Sequence, residues 1–371
     1  MSRAFRERYD AIVVGGRVAG SITAALLGDS GLNVLLVERV RFPRTTISTH
    51  FFRGAGLVAV LERLSVLDEV LALDPPPLRH EWAYGFGSPG PIEEPPQDPG
   101  EAGFGLSVRR APLDEILLHR AGSAEAVDIA QPASVRGLLT DGDRVRGASI
   151  DHLGAELQVR SRVVIGADGR HSTVARLAGP AVERFAEPMR TLYYRYVSGW
   201  RGPEGDLPDA PEFSLNGDEM AYVFPSDEGL TCVGVSAPRA AFTAFRESPD
   251  GELDRRLAGH PSLTDRLQGC PRSGRAAGGS PEPSWVRAAA GPGWMLVGDA
   301  GVHQDPWTGE GMDNAAVSAV HAAEAVVDWL AGRMTEDEAM TRYRERRDER
   351  VLGRFDECTS LAADLSVLGS G

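Results

Sequence analysis

Lysine is absent from the whole of this 371-residue chain, so its 39 basic side chains are all arginine, set against 53 aspartates and glutamates. Without lysine there is no Schiff-base or catalytic lysine. The formal net charge of -14 argues against nucleic acid or an anionic membrane surface as the main partner. Cysteine is scarce too: Cys232, Cys270 and Cys358 lie far apart, with no C-x-x-C and no metal-ligand spacing. That pattern predicts a reducing, cytoplasmic setting and no metal centre. Long apolar runs are missing, and the basic opening "MSRAFRERYD" leads into a strand pattern instead of an apolar segment and cleavage site. A soluble chain with neither membrane span nor signal peptide is the expectation.

Against those absences stands "YDAIVVGGRVAGSITAALL". Ala11 to Val14 are apolar without alternation, as a strand buried on both faces requires. Ala19, Ile22, Thr23, Leu26 and Leu27 follow at helical spacing, and "NVLLVER" is a second buried strand ending at Glu38 and Arg39. Strand, glycine turn, helix and strand form a βαβ unit of the dinucleotide-binding kind. Its fingerprint is irregular: Gly15 and Gly20 are in place, but Arg17 stands where a middle glycine belongs. Arg17 costs some closeness of approach and places a guanidinium where it can pair with phosphates at a helix N-terminus. Glu38 sits where a carboxylate accepts from a ribose diol.

Two later stretches strengthen the nucleotide reading. "VVIGADGRHSTVARLAG" runs a buried strand into a turn at Asp168 and then a helix with Ser172 and Thr173 as capping candidates. "WMLVGDAGVHQDPWTGEGMDNAAVSAVHAAEAV" ends a strand at Asp299, passes Pro306, and opens a long helix at Gly309 and Gly311. The free amides and dipole of that helix start suit an anion, or a ring that must carry negative charge. The expected organisation is α/β (α+β), a Rossmann-type body with an inserted antiparallel β-rich substrate domain. The body takes residues 1–75, 104–180 and 286–371, and the insertion takes 76–103 and 181–285. Within the insertion, the proline-rich stretch 87–103 reads as a loop.

In this order and at these separations, the three stretches resemble the flavoprotein hydroxylases of the para-hydroxybenzoate hydroxylase type, whose relatives include geranylgeranyl reductases and flavin-dependent halogenases. The resemblance covers about two thirds of the chain and is weak over 181–285. It implies FAD as cofactor and NAD(P)H as a transient reductant. It also implies that Gly15, Arg17, Ala19 and Gly20 hold the pyrophosphate, and that Glu38 with neighbouring Arg39 holds the adenosine ribose. Arg110, within R-x-x-L-D, and Asp299 would approach the ribityl chain, and Asp168 would serve both FAD and pyridine nucleotide. Pro306 would flank the isoalloxazine ring, with the amides around Gly309, Gly311 and Met312 at its pyrimidine end.

His50, in a segment that the resemblance passes beside the flavin, is the catalytic candidate. Tyr193, Tyr194, Tyr196, Tyr222, Phe224 and Trp307 are candidate pocket residues. Strand alternation should turn about half of the strand aromatics away. The reaction expected first is monooxygenation of a small, aromatic or polyketide-like secondary metabolite. The alternative is a reductase of the geranylgeranyl reductase type. A halogenase ranks lower, because the chain lacks both the lysine and the W-x-W-x-I-P motif that the resemblance associates with that reaction. A non-redox flavoprotein is the remaining reading.

Overall fold

The computed structural model describes residues 5–48, 50–87, 92–94, 102–205 and 208–369. The fully apolar stretch inside Arg8–Val14 is buried and pairs in parallel with Val34–Val37 on one side and Ala155–Gly166 on the other. Across the sheet the path runs Ala290–Gly291, Trp294–Leu296, Ala155–Gly166, Arg8–Val14, Val34–Val37, Val127–Ala130. The register aligns Val14 with Gly166 and Val37, and Gly166 with Leu296. Four parallel strands therefore end together, and their loops, beginning at Gly15, Glu38, Ala167 and Val297, open on one edge, where α/β sheets bind ligands. The Val18–Asp29 helix packs between Arg110–Gly122 and Gly311–Leu330. Alanines such as Ala316, Ala319 and Ala323 on the long helix are fully or almost fully buried, which permits a close approach.

A second sheet runs Arg272–Gly278, Arg190–Ser198, Leu230–Pro238, Glu219–Pro225, Glu212–Asn216, Glu81–Tyr84, Ile92–Glu94. It departs from the expected antiparallel layer at one pair: Glu212–Asn216 and Glu81–Tyr84 run parallel. Those two strands come from separate stretches of chain, so no hairpin dictates their relative direction. The proline-rich stretch also differs from a plain loop, since Ile92–Glu94 adds an edge strand with the prolines on either side of it. The remainder of that stretch up to residue 101 lies outside the described residues. Three short helices, Phe242–Glu247, Pro249–Leu257 and Pro261–Leu267, were not expected in the β-rich region. They bury Phe245, Leu253 and Leu263 against Val233 and Val235, covering one face of the sheet.

Period-two alternation sorts the aromatics of that sheet. Tyr193 points to the helix-covered face, where its ring stacks on Phe245 at 4.2 Å. Tyr194, Tyr222 and Phe224 point the other way, into a cluster with Phe51 from the first body, and Tyr196 packs against it. The two sheets are tied together at Asp227, which is fully buried and accepts from the Arg109 amide at 2.8 Å and from Arg109 Nε at 2.7 Å. Among the described residues no helix is long and apolar enough to cross a membrane.

Candidate functional site

The turn after the first strand is set by contact distances. Gly15 adopts φ +104°, and a Cβ there would lie 2.4 Å from the Ala167 carbonyl oxygen. At Gly20 a Cβ would lie 1.7 Å from the Gly15 oxygen, so only glycine lets helix and turn close on one another. Arg17 is the N-cap of the Val18–Asp29 helix, and no side chain caps its first amides. Those amides and the helix dipole remain available to an anion. Ala19, 7% exposed, packs the same helix toward Gly298. Glu38 is buried at the neighbouring strand end, accepting from the Gly16 amide at 2.7 Å and the Val40 amide at 2.8 Å. Arg39 beside it is exposed.

Arg17 does not stand free at the mouth of the turn. Its Nη1 donates to Asp114 Oδ2 at 2.9 Å, while Arg110 Nη2 donates to Asp114 Oδ1 at 2.8 Å. Two guanidinium groups therefore converge on one fully buried carboxylate beside the cradle. Burial lowers the Arg17 pKa, against the raising influence of Asp114. Asp168 also has local partners: its carboxylate accepts from the Ser172 hydroxyl and from the Thr173 amide at 2.6 Å, capping the following helix. Its side chain is turned to that helix, one residue past the Ala167 carbonyl that abuts Gly15.

Asp299 lies in the short turn Gly298–Ala300, partly exposed. A Cβ on Gly298 would lie 3.1 Å from that of Ala19, which brings this turn to the start of the first helix. Pro306–Thr308 form another turn, with exposed Pro306, followed by Gly309 at φ +71° and the long helix opening at exposed Gly311. Met312 is buried, with its sulfur 4.0 Å from the Ser48 hydroxyl.

Asp313, in the first turn of the long helix, escaped the sequence reasoning. Its carboxylate accepts from the Leu57 amide at 2.9 Å and the Arg53 amide at 3.2 Å, holding the segment after His50 against the helix. The usable signal was an acid in a helix first turn, where the dipole favours it. Burial pushes the Asp313 pKa up to about 6, opposed by the amide bonds and Arg53. A carboxyl whose folded-state pKa is raised stabilises the fold fully below its unfolded value, and that contribution is lost as pH rises through the folded value. Denaturant unfolding should show stability falling from about pH 4 to about pH 6. Asp313→Asn should flatten that slope, and an unchanged slope would assign it to another group.

A small cavity lies between the second sheet, Phe51 and the Pro306–Gly309 turn. It is lined by Phe51, Leu192, Phe213, Tyr222, Phe224 and the Pro306–Gly309 turn, which includes Trp307. The Trp307 indole donates to the Cys358 carbonyl at 3.1 Å. Phe224 stacks on Phe51 at 5.2 Å and on Tyr222 at 4.9 Å. Tyr194 and Tyr196 do not line the cavity; they lie on the same sheet face, against His50 at ring distances of 5.2 and 5.5 Å. His50 is buried, takes the left-handed backbone region at φ +67°, and shares a 2.7 Å hydrogen bond between Nε2 and Tyr196 Oη. Burial, reinforced by the Arg110 charge, pushes the His50 pKa down to about 3. Burial raises that of Tyr196. At neutral pH both are uncharged. Among the described residues, none that lines the cavity carries a carboxylate, imidazole or guanidinium.

The model of the FAD binding domain matches residues 8–197, more than half of the chain. The chain belongs to that family. Digeranylgeranylglycerophospholipid reductase 1 of Methanococcoides burtonii is 28% identical, over 92% of this chain and 80% of the relative. The myxobacterial chondrochloren halogenase CndH has a similar structure, with a TM-score of 0.85 and 25% identity, covering 95% of this chain and 82% of that one. PqsL from Pseudomonas aeruginosa, described as a probable FAD-dependent monooxygenase, shares the fold with a TM-score of 0.78, 21% identity and 97% coverage of both chains.

The cradle fits FAD on structural grounds. Two glycine positions that a Cβ would fill and the uncapped amides of the first helix suit a pyrophosphate. A buried carboxylate at the second strand end suits a ribose. The chain is an FAD-dependent oxidoreductase, and FAD is its cofactor.

Proposed function

We propose that this oxidoreductase is a reductase that saturates a carbon–carbon double bond of a small apolar molecule, drawing electrons from NAD(P)H. Monooxygenation, the first expectation from sequence, ranks second. The observation that carries this reading is the apolar and aromatic lining of the cavity, in which no carboxylate or imidazole stands among the described residues. A hydroxylase that activates a phenol gains from a group that takes the phenolic proton, whereas burial pushes the His50 pKa down to about 3 and so leaves its unprotonated ring a weak base. The name of the Methanococcoides relative supports the same choice. FAD, once reduced, would supply hydride.

Gly15, Gly20 and the first-helix amides would hold its pyrophosphate, with Arg17 and Arg110 at the mouth, and Glu38 its ribose. The amides after Gly309 would face the end of the ring where negative charge collects. The aromatic wall of Phe51, Tyr222 and Phe224 would exclude water from the reacting bond. We assign the 76–103 and 181–285 segments to the substrate side of the pocket and the remaining segments to the cofactor.

The second reading draws on PqsL, a probable FAD-dependent monooxygenase that shares this fold. Turnover under labelled dioxygen with NAD(P)H decides between them. A product that gains two hydrogens and no labelled oxygen is expected; labelled oxygen in the product would establish the monooxygenase instead.

A further inference from the structure

Tyr222 is 2% exposed, and its hydroxyl has no hydrogen-bond partner among the described residues; His50 Nδ1 is likewise buried and unpartnered among them. Both atoms belong to one group. In the strand register, Gly234 pairs with Tyr222 on one side and Tyr194 on the other. A Cβ at Gly234 would fall 2.3 Å from Tyr222 Oη, so the missing side chain is what lets this phenol lean across the strand toward Tyr194. Cys232, Tyr194 and Tyr196 are all close enough to act on the Tyr222 phenol electrostatically. Tyr222 is also among the residues that line the cavity. A buried hydroxyl without a partner is costly to leave unmade, and burial keeps this one protonated and therefore a donor.

We propose that Tyr222 is a specificity-determining residue whose hydroxyl donates to a carbonyl oxygen of the substrate, and that the molecule accepted here is an uncharged α,β-unsaturated carbonyl compound. A carboxylate or phosphate would need a cation, and the cavity lining has none. Conjugation follows from the reductase reading, on which this part rests: hydride adds at the β carbon, the alkene pair becomes the enolate bond between the α and carbonyl carbons, the carbonyl π pair moves onto oxygen, and a solvent proton at the α carbon restores the carbonyl. The oxygen that gains charge is the atom the phenol donates to. The oxygen contact itself is independent of which reaction follows.

The test is equilibrium binding to the oxidised, FAD-loaded protein, read by the change in flavin absorbance. The probes are cinnamaldehyde and trans-β-methylstyrene, which share a carbon skeleton and differ in the carbonyl. With no lysine side chain in the sequence, the aldehyde meets no side-chain amine. Wild-type protein should bind cinnamaldehyde about tenfold more tightly, or ~1.4 kcal/mol. Tyr222→Phe should bind the two equally, with the hydrocarbon affinity unchanged. A purely structural tyrosine would weaken both probes together. Equal affinities in the wild type, including no binding of either, overturn the proposal, as does a preference that survives Tyr222→Phe. A carbonyl preference accompanied by labelled oxygen in the product would remove the reductase reading and leave Tyr222 in its role. Saturation without a preference would do the reverse.

Discussion

Gly20→Ala protein should purify without the yellow of bound flavin. The added Cβ would sit 1.7 Å from the Gly15 carbonyl oxygen, which is backbone and not the far end of a flexible side chain. Gly15 cannot retreat, because its own missing Cβ already marks a close approach to the Ala167 carbonyl at 2.4 Å. Overpacking commonly costs about 1–3 kcal/mol where side chains can shift. Here the turn itself must open, and on the proposed reading the turn is what would meet the pyrophosphate. FAD affinity by equilibrium dialysis should fall at least tenfold, or ~1.4 kcal/mol. Gly16→Ala is the comparison: its Cβ would meet the Glu38 and Leu118 side chains at 3.1 and 3.2 Å, contacts that yield more easily. Gly20→Ala protein with full flavin content would mean that the turn does not hold the cofactor.

Asp114→Ala should be the most damaging change for the apoprotein and much less damaging for the holoprotein. Asp114 is fully buried and is the shared partner of Arg17 and Arg110, whose side chains are 31% and 12% exposed. Removing one partner of a buried ion pair costs about 3–5 kcal/mol, and the partial exposure of Arg17 places this case at the low end. The substitution also leaves two guanidinium groups beside one another at the mouth of the cradle. A pyrophosphate brought there supplies the charge that Asp114 no longer provides. Urea unfolding with and without FAD should show a larger stabilisation by the cofactor in Asp114→Ala than in the wild type. Equal or smaller stabilisation would show that these arginines face away from the phosphates.

The elements of the first body were legible because each is encoded by its neighbours in sequence. Ala11 to Val14 could only be a strand buried on both sides, and the helix after Gly15 carries its own spacing. Alternation in Arg190–Ser198 separates Tyr193 from Tyr194 without any knowledge of what lies on either face. The pairings that give the site its chemistry are of another kind. Arg17 meets Asp114, His50 meets Tyr196 and Asp313 meets Leu57 across 97, 146 and 256 positions. Nothing local marks such partners, so Arg17 reads as a free phosphate ligand and Asp313 as an ordinary helix acid. The three short helices over the second sheet were missed for a related reason. Their apolar positions, Phe245, Leu253 and Leu263, are spread over separate short segments, too few in each to show a period.

The proposed cofactor cradle rests on loops at the edge of one sheet, while most of the cavity wall stands on strands of the other, joined to it through Phe51 and the Arg109–Asp227 pair. Substitutions at Leu192, Phe213 or Tyr222 can redraw the wall while leaving Gly15, Gly20 and Glu38 in contact with their present neighbours. Such a division lets one inherited electron carrier be fitted to new molecules by changes to the wall alone, and proteins with this architecture bear the names of a reductase, a halogenase and a monooxygenase.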